Sequence, residues 1–286
     1  MSTEAQVAGR GSGLGAPVEC AGMRLPYERY CAEVGVQTDL LRRTVRGADL
    51  ATRVPTCPDW DLGELAVHVG GSHRWAAELV RTRATEELAE ETVPGYTGPE
   101  PRTAAALDGW LAEGADLLAA ELRAAGADAG VWSWAEEQRA AFWARRMAHE
   151  TVVHRADADG AAGVGFAVDA DVAADAIDEW LEILEFAQRG GDPDLEPLYA
   201  PELAGSGIHL HATDTPPEAA AEWLVELGPD GFRWRREHAK AAVALRGPLA
   251  DVLRVFYRRL PPDSGRVEVL GEAGVLDTWL AATAWG

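Results

Sequence analysis

Cysteine is scarce in this 286-residue chain, which has only Cys20, Cys31 and Cys57. So few, at such uneven spacing, exclude both a disulfide framework and a Cys-rich zinc site. Positive charge is also short. Lys and Arg number 26 against 47 Asp and Glu, a formal net charge of −21. That balance removes the basic surface on which nucleic-acid binding and attraction to anionic lipid depend, so no nucleic acid and no membrane partner is expected. A locally basic cleft stays compatible with it, because net charge describes the whole surface. The opening MSTEAQVAGRGSGLGAPVEC lacks the apolar stretch of a signal peptide, and no run reaches the length of a membrane span; cytoplasmic residence is the default expectation.

What is present is core material: 47% hydrophobic residues and 11 tryptophans, enough to exclude a disordered chain, in a length that suits two domains. Residues 1–22, rich in Gly and small side chains without a period, read as a flexible N-terminal tail. Helical spacing follows over about Leu25 to Val45, from about Trp60 to Thr85, from Thr103 to Ala125, from Trp132 to Asp159 and from Asp169 to Arg189. Asp59 or Asp61 can cap the second of these, and Gly70 with Gly71 inside it marks close packing, a kink or a break. Five helices with modest connections predict a bundle over residues 23–190. GGDPDLEP marks a linker at 191–200. Residues 201–286 then carry strand patterns at GIHLHATD, FRWRRE, AAVALRG and VEVLG, and helical stripes at PLADVLRVFYRRL and VLDTWLAAT. The expected class is α+β, with a helical bundle followed by a smaller α+β domain.

Glu150 and His154 stand four apart in a helical pattern, so both side chains leave the same face one turn apart. Such a pair can share a metal ion, and equally can make a core-edge hydrogen bond or a solvated contact. His68, between Val67 and Val69 on another helix, reads most simply as a packed histidine. Spacing alone does not bring it to the Glu150 and His154 face.

The stretches VPTCPDWDLGELAVHVGG, RMAHETVVHRADADGA and VDADVAADAIDEWL, in that order, resemble the mycothiol-dependent maleylpyruvate isomerase family. Its N-terminal domain belongs to the DinB-like helical bundles. HLHATD, LRGPLADVLRVFYRRLP and VEVLGEAGVLDTWLAA extend the likeness more loosely through the C-terminal domain, so that it covers roughly residues 25 to 284. The resemblance implies that His68, Glu150 and His154 are the ligands of one divalent metal ion, taken as zinc. It also implies a low-molecular-weight thiol, mycothiol, as cosubstrate or cofactor, and a small electrophile as substrate. Family members carry Gly-Arg near the end of the penultimate helix. Arg258-Arg259 stands there in this chain, so Arg259 inherits the catalytic and cofactor-binding role while the glycine is missing. Ala176 also replaces a usual glycine.

Two histidines and a carboxylate leave one position open on zinc, and a thiol entering it is held as thiolate beside the cation. Addition to an activated cis double bond, rotation and elimination would make an isomerase. Attack on an electrophile with release of the adduct would make a transferase. A thiol-independent metal hydrolase and a non-catalytic ligand-binding or resistance protein are the competing classes. Of the neighbouring residues, His149 and His73 fall off the ligand face, Asp157 sits where it can orient His154, and Cys57 reads as a small buried residue. A monomer or homodimer is expected.

Overall fold

Helix α1 (Tyr27–Gly47) opens the part of the chain that the computed structural model describes, residues 24–284. The expected tail and Cys20 lie outside the described residues. After α1 comes a short antiparallel hairpin, β1 (Arg53–Val54) and β2 (Cys57–Asp61). It leads straight into α2 (Leu62–Thr82) through Asp61, whose carboxylate accepts from the Glu64 amide at 2.8 Å while the Glu64 carboxylate accepts from the Asp61 amide at 2.9 Å. This reciprocal cap fixes the helix start and hence the phase of His68 along it.

Gly70 and Gly71 leave α2 unbroken. A Cβ on Gly70 would lie 2.1 Å from the Trp110 ring, and one on Gly71 would lie 2.9 Å from the Tyr96 carbonyl oxygen. Gly70 is thus the close-packing glycine of the α2 contact with α3 (Ala104–Ala125), where Arg74 also stacks 4.1 Å over Trp110, and Gly71 lets the connection that precedes α3 lie against α2.

α4 (Ala140–Ala161) starts later than the helical pattern from Trp132 suggests. Ser133 and Gln138 take the local backbone groups with their side chains, the Gln138 amide donating to the Ser133 carbonyl at 2.7 Å. Such bonds compete with helix formation. From Trp143 to Asp159 nearly every side of α4 is buried. Its charged residues therefore need internal partners. Arg145 pairs with Asp175 at 3.0 Å, Arg146 with Glu179 at 2.5 Å and Arg155 with Asp159 at 2.9 Å.

Asp175 and Glu179 belong to α5 (Ala170–Gly190), which turns these acids toward α4. Val172, Ile177, Leu181 and Leu184 of the same helix join the apolar cluster of the C-terminal half. GGDPDLEP continues into a 3-10 turn over Pro193–Tyr199 that buries Leu195 and Leu198 in that cluster.

The C-terminal sheet holds β3 (Gly207–Ala212), β4 (Glu222–Gly228), β5 (Gly231–Arg236), β6 (Val243–Gly247) and β7 (Glu268–Gly271), in the order β5-β4-β3-β6-β7. β3 and β6 run parallel and the other neighbours antiparallel. Helices α6 (Leu249–Phe256) and α7 (Ala273–Ala282) complete it. The architecture is thus a helical bundle of α1–α4 followed by a smaller mixed α+β domain. No helix among the described residues is long and apolar enough to cross a membrane.

Candidate metal centre

His68, on the second turn of α2, and Glu150 with His154, one turn apart on α4, meet inside the bundle. Glu150 Oε1 lies 3.1 Å from His68 Nε2 and 3.1 Å from His154 Nε2. The two imidazole centroids are 4.8 Å apart, near perpendicular. One ligand atom from each of the three residues lies within 4.8 Å of the others. Tetrahedral zinc with bonds of about 2.0–2.1 Å separates its ligand atoms by about 3.3 Å, so the Glu150 oxygen stands close to that spacing from each histidine. The Trp60 ring, on β2, closes one side at 4.7 Å from His68 and 5.9 Å from His154.

Two of the three donors are held from behind. Asp157 Oδ2 takes the Nδ1 hydrogen of His154 at 2.9 Å, which leaves Nε2 as the nitrogen facing Glu150; a carboxylate behind a histidine is the usual device for aiming a metal ligand. Arg146 Nη2 donates to Glu150 Oε2 at 2.8 Å and leaves Oε1 facing the histidines. Burial pushes the Glu150 carboxyl up, yet the charge of His154, hydrogen bonds from His154 and His68, and Arg146 hold it well below the usual carboxylate range. Burial likewise lowers His154, but the Glu150 charge and the hydrogen bonds to Asp157 and Cys57 carry it well above an ordinary histidine. The residues present fit a divalent metal.

Asp157 joins the two halves of the molecule. It accepts from Thr56 Oγ1 at 2.5 Å, from Cys57 Sγ at 3.7 Å and from Arg259 Nε at 3.1 Å. Arg259 lies just past α6. Its Nη1 donates to the Tyr257 carbonyl at 2.8 Å. The missing glycine explains itself here: Arg258 adopts φ of 63°, the left-handed conformation that a glycine enters freely. Here the turn is made with Arg-Arg, at a backbone cost. A cleft of about 660 Å³ runs beside this group, lined by Thr56, Pro58, Asp157, Arg258, Arg259 and Pro261 among others. The triad's own side chains are not in its wall; the cleft reaches them through Asp157.

Other histidines are accounted for elsewhere. His149 hydrogen-bonds Asp175 of α5 at 2.7 Å, and His73 meets Thr151 Oγ1 at 2.8 Å. Burial lowers His73 to about 4. Sequence reasoning missed Arg146 and Thr56. Arg146 had a legible signal, since it stands one turn before Glu150; Thr56 had none, because the hairpin that carries it is too short to announce itself.

The fold and site define a helical-bundle protein in which two histidines and one carboxylate could hold a metal ion beside an arginine-bearing cleft. Family models agree: that for the mycothiol maleylpyruvate isomerase N-terminal domain matches residues 31–159, and that for the C-terminal domain of the same family matches residues 171–278. The chain belongs to the mycothiol maleylpyruvate isomerase family. Two solved structures are similar in fold, a mycothiol-dependent maleylpyruvate isomerase and a histidine-to-alanine mutant of it. Each is 19% identical and covers 87% of this chain and 95% of its own, with TM-scores of 0.48 and 0.49. No curated protein matches the chain.

Proposed function

We propose that the protein is a metal-dependent enzyme that uses a low-molecular-weight thiol, mycothiol, to transfer to or isomerise a small electrophilic metabolite. The observation that carries this reading is the convergence of His68 and His154 on Glu150, each 3.1 Å from its Oε1, in a chain whose two domains both match the family. A bound divalent ion, for which zinc suits the donor set, supplies thiolate at neutral pH by favouring the charged form of the sulfur. His68, Glu150 and His154 would hold the ion, with Asp157 and Arg146 aiming two of them. Three protein donors leave a side open, as a catalytic centre requires.

Arg259 is the residue we assign to substrate or cofactor. Its Nε and Nη1 are engaged by Asp157 and the Tyr257 carbonyl, which fixes the guanidinium plane at the cleft wall. Nη2 is then aimed for a carboxylate or another polar oxygen. Trp60 packs its ring against both histidines on one side of the triad.

Metal-loaded protein mixed with mycothiol and a panel of activated cis-alkenes and leaving-group electrophiles tests the reading. Product mass and thiol loss are followed together. Metal- and thiol-dependent turnover is expected. Turnover that survives complete thiol removal, or ligand capture without any conversion across the panel, would overturn it in favour of a hydrolase or a binding protein.

A further inference from the structure

Four side chains on the outer face of the C-terminal sheet meet at a single atom. Glu222 Oε2 lies 2.8 Å from His209 Nε2, 2.7 Å from His211 Nδ1 and 2.6 Å from His238 Nδ1. The three imidazoles pack edge to face, with centroids 5.4, 5.2 and 5.6 Å apart. One ligand atom from each of the four residues lies within 4.8 Å of the others.

Strand register builds this group. His209 and His211 are two apart on β3 and so share a face. β3 and β4 place Glu222 directly opposite His211. β5 returns beside β4 and carries the chain on to His238, the Glu237 amide bonding the Glu222 carbonyl at 3.1 Å. Ile208, Leu210, Trp223 and Val225 point the other way and form the core.

An ordinary ion-pair cluster accounts poorly for this group. A carboxylate oxygen offers two lone pairs, and here three ring nitrogens crowd one oxygen. Three of the chain's seven histidines are spent on the group. A dication at the centre satisfies all four side chains at once, since imidazole nitrogens and a carboxylate oxygen are the donors zinc takes.

We infer that His209, His211, Glu222 and His238 bind a second divalent transition-metal ion of the zinc class, independent of the centre in the bundle. Opening the present 2.6–2.8 Å contacts to the separation of about 3.3 Å set by tetrahedral zinc is a small movement. His238 is exposed and Glu222 half-buried, so both have room to make it, while the buried His209 stays fixed. Four protein donors fill a tetrahedron, so this site is closed and structural. It ties β3, β4 and the segment beyond the edge strand β5 together.

Zinc content of the full chain decides the matter. Wild-type protein, His68→Ala and the double variant His211→Ala/His238→Ala are saturated with zinc alone, freed of excess and weighed by native mass spectrometry alongside elemental analysis. The double variant is expected to hold one ion fewer than wild type, and His68→Ala to keep the ion that the double variant loses. Cobalt bound to His68→Ala should show the visible absorption of a tetrahedral site, absent once His211 and His238 are also replaced. Equal zinc in wild type and the double variant overturns the inference, whatever the bundle centre binds. Should the double variant fail to fold, the exposed His238→Ala alone carries the test: competition with a chelator must show weaker zinc, and unchanged affinity sinks the idea.

Discussion

Arg258 carries a φ of 63° with its side chain in solvent, where the resemblance to the family leads one to expect glycine. The left-handed conformation costs an L-residue about 1–2 kcal/mol, and glycine returns about 0.5–1 kcal/mol of that as unfolded-state entropy. Arg258→Gly is therefore expected to stabilise the protein by about 0.5–1 kcal/mol in urea denaturation, and a loss of that size would contradict the strain assigned here. Asp157 acts one atom behind His154. Asp157→Asn removes the charge that aims the ring and should weaken metal binding about 10–100-fold, the usual consequence of losing a partner behind a ligand. The same site has a pH signature. The His154 pKa is raised well above 6.5, by Glu150 and Asp157 against burial. Near neutrality the metal-free imidazole is protonated, and an entering ion must displace that proton. Metal affinity should rise with pH until that raised pKa is passed, with proton release on binding visible by calorimetry in two buffers of different ionisation enthalpy. Affinity independent of pH would be inconsistent with His154 as a ligand.

Two glycines in helices of the bundle make opposite predictions at the scale of the element. Gly35 in α1 has nothing within 4 Å of where a Cβ would stand, so Gly35→Ala gains helix propensity, about 1 kcal/mol. Gly70 in α2 lies against Trp110. There the same propensity gain is outweighed by overpacking, and Gly70→Ala should cost about 1–3 kcal/mol. Thermal melts of the pair separate local preference from packing. The α4–α5 contact rests on Asp175, which accepts from Tyr30 Oη and His149 Nε2 at 2.7 Å each and pairs with Arg145. Burial raises the Asp175 carboxyl, but the His149 hydrogen bond, followed by the charges of His149 and Arg145, brings it down to about 2 from 3.8. A depressed carboxyl stabilises the fold above its unfolded pKa and ceases to do so as pH falls through the folded one. About 2 kcal/mol should therefore disappear between about pH 4 and pH 2. Asp175→Asn should flatten that acid limb in denaturant titrations, and an unchanged limb would assign it to other carboxylates.

At the scale of the whole molecule, Asp157 of the bundle and Arg259 of the C-terminal half make the contact that couples the two parts at the candidate centre. Arg259→Ala should lower kcat/KM for a carboxylate-bearing substrate by about 10–100-fold, the worth of a charge-assisted hydrogen bond, while metal content holds. Arg259→Lys should recover little, because an ammonium cannot keep the Asp157 contact and present a second donor in one plane. Lost metal in Arg259→Ala would make the residue a support for Asp157. The negative surface charge does not oppose this design, since the cleft wall is locally basic, with Arg254, Arg258 and Arg259.

How much of this was legible beforehand differs by the range of the interactions. Helical spacing and capping chemistry are local, so α1, α2, α3 and α5 stand within a few residues of where periodicity put them, and Glu150 with His154 share a face by helix geometry alone. The pattern overshot at Trp132, where Ser133 and Gln138 divert the backbone, and β4 went unread although Trp223, Val225 and Leu227 alternate. The resemblance, carried by motifs, brought His68 to the other two; spacing could not, because the α2–α4 approach depends on packing many residues apart. Only the tertiary structure decided that Asp157 binds His154 and Arg259 together, that Arg258 makes its turn with a strained backbone, and that three histidines and Glu222 from three stretches of chain converge on one point. The Asp157–His154 contact is local and helix spacing offered it, but the Arg259 contact with Asp157 and the gathering around Glu222 join side chains distant in sequence, set by packing and strand register, to which local pattern carries no signal.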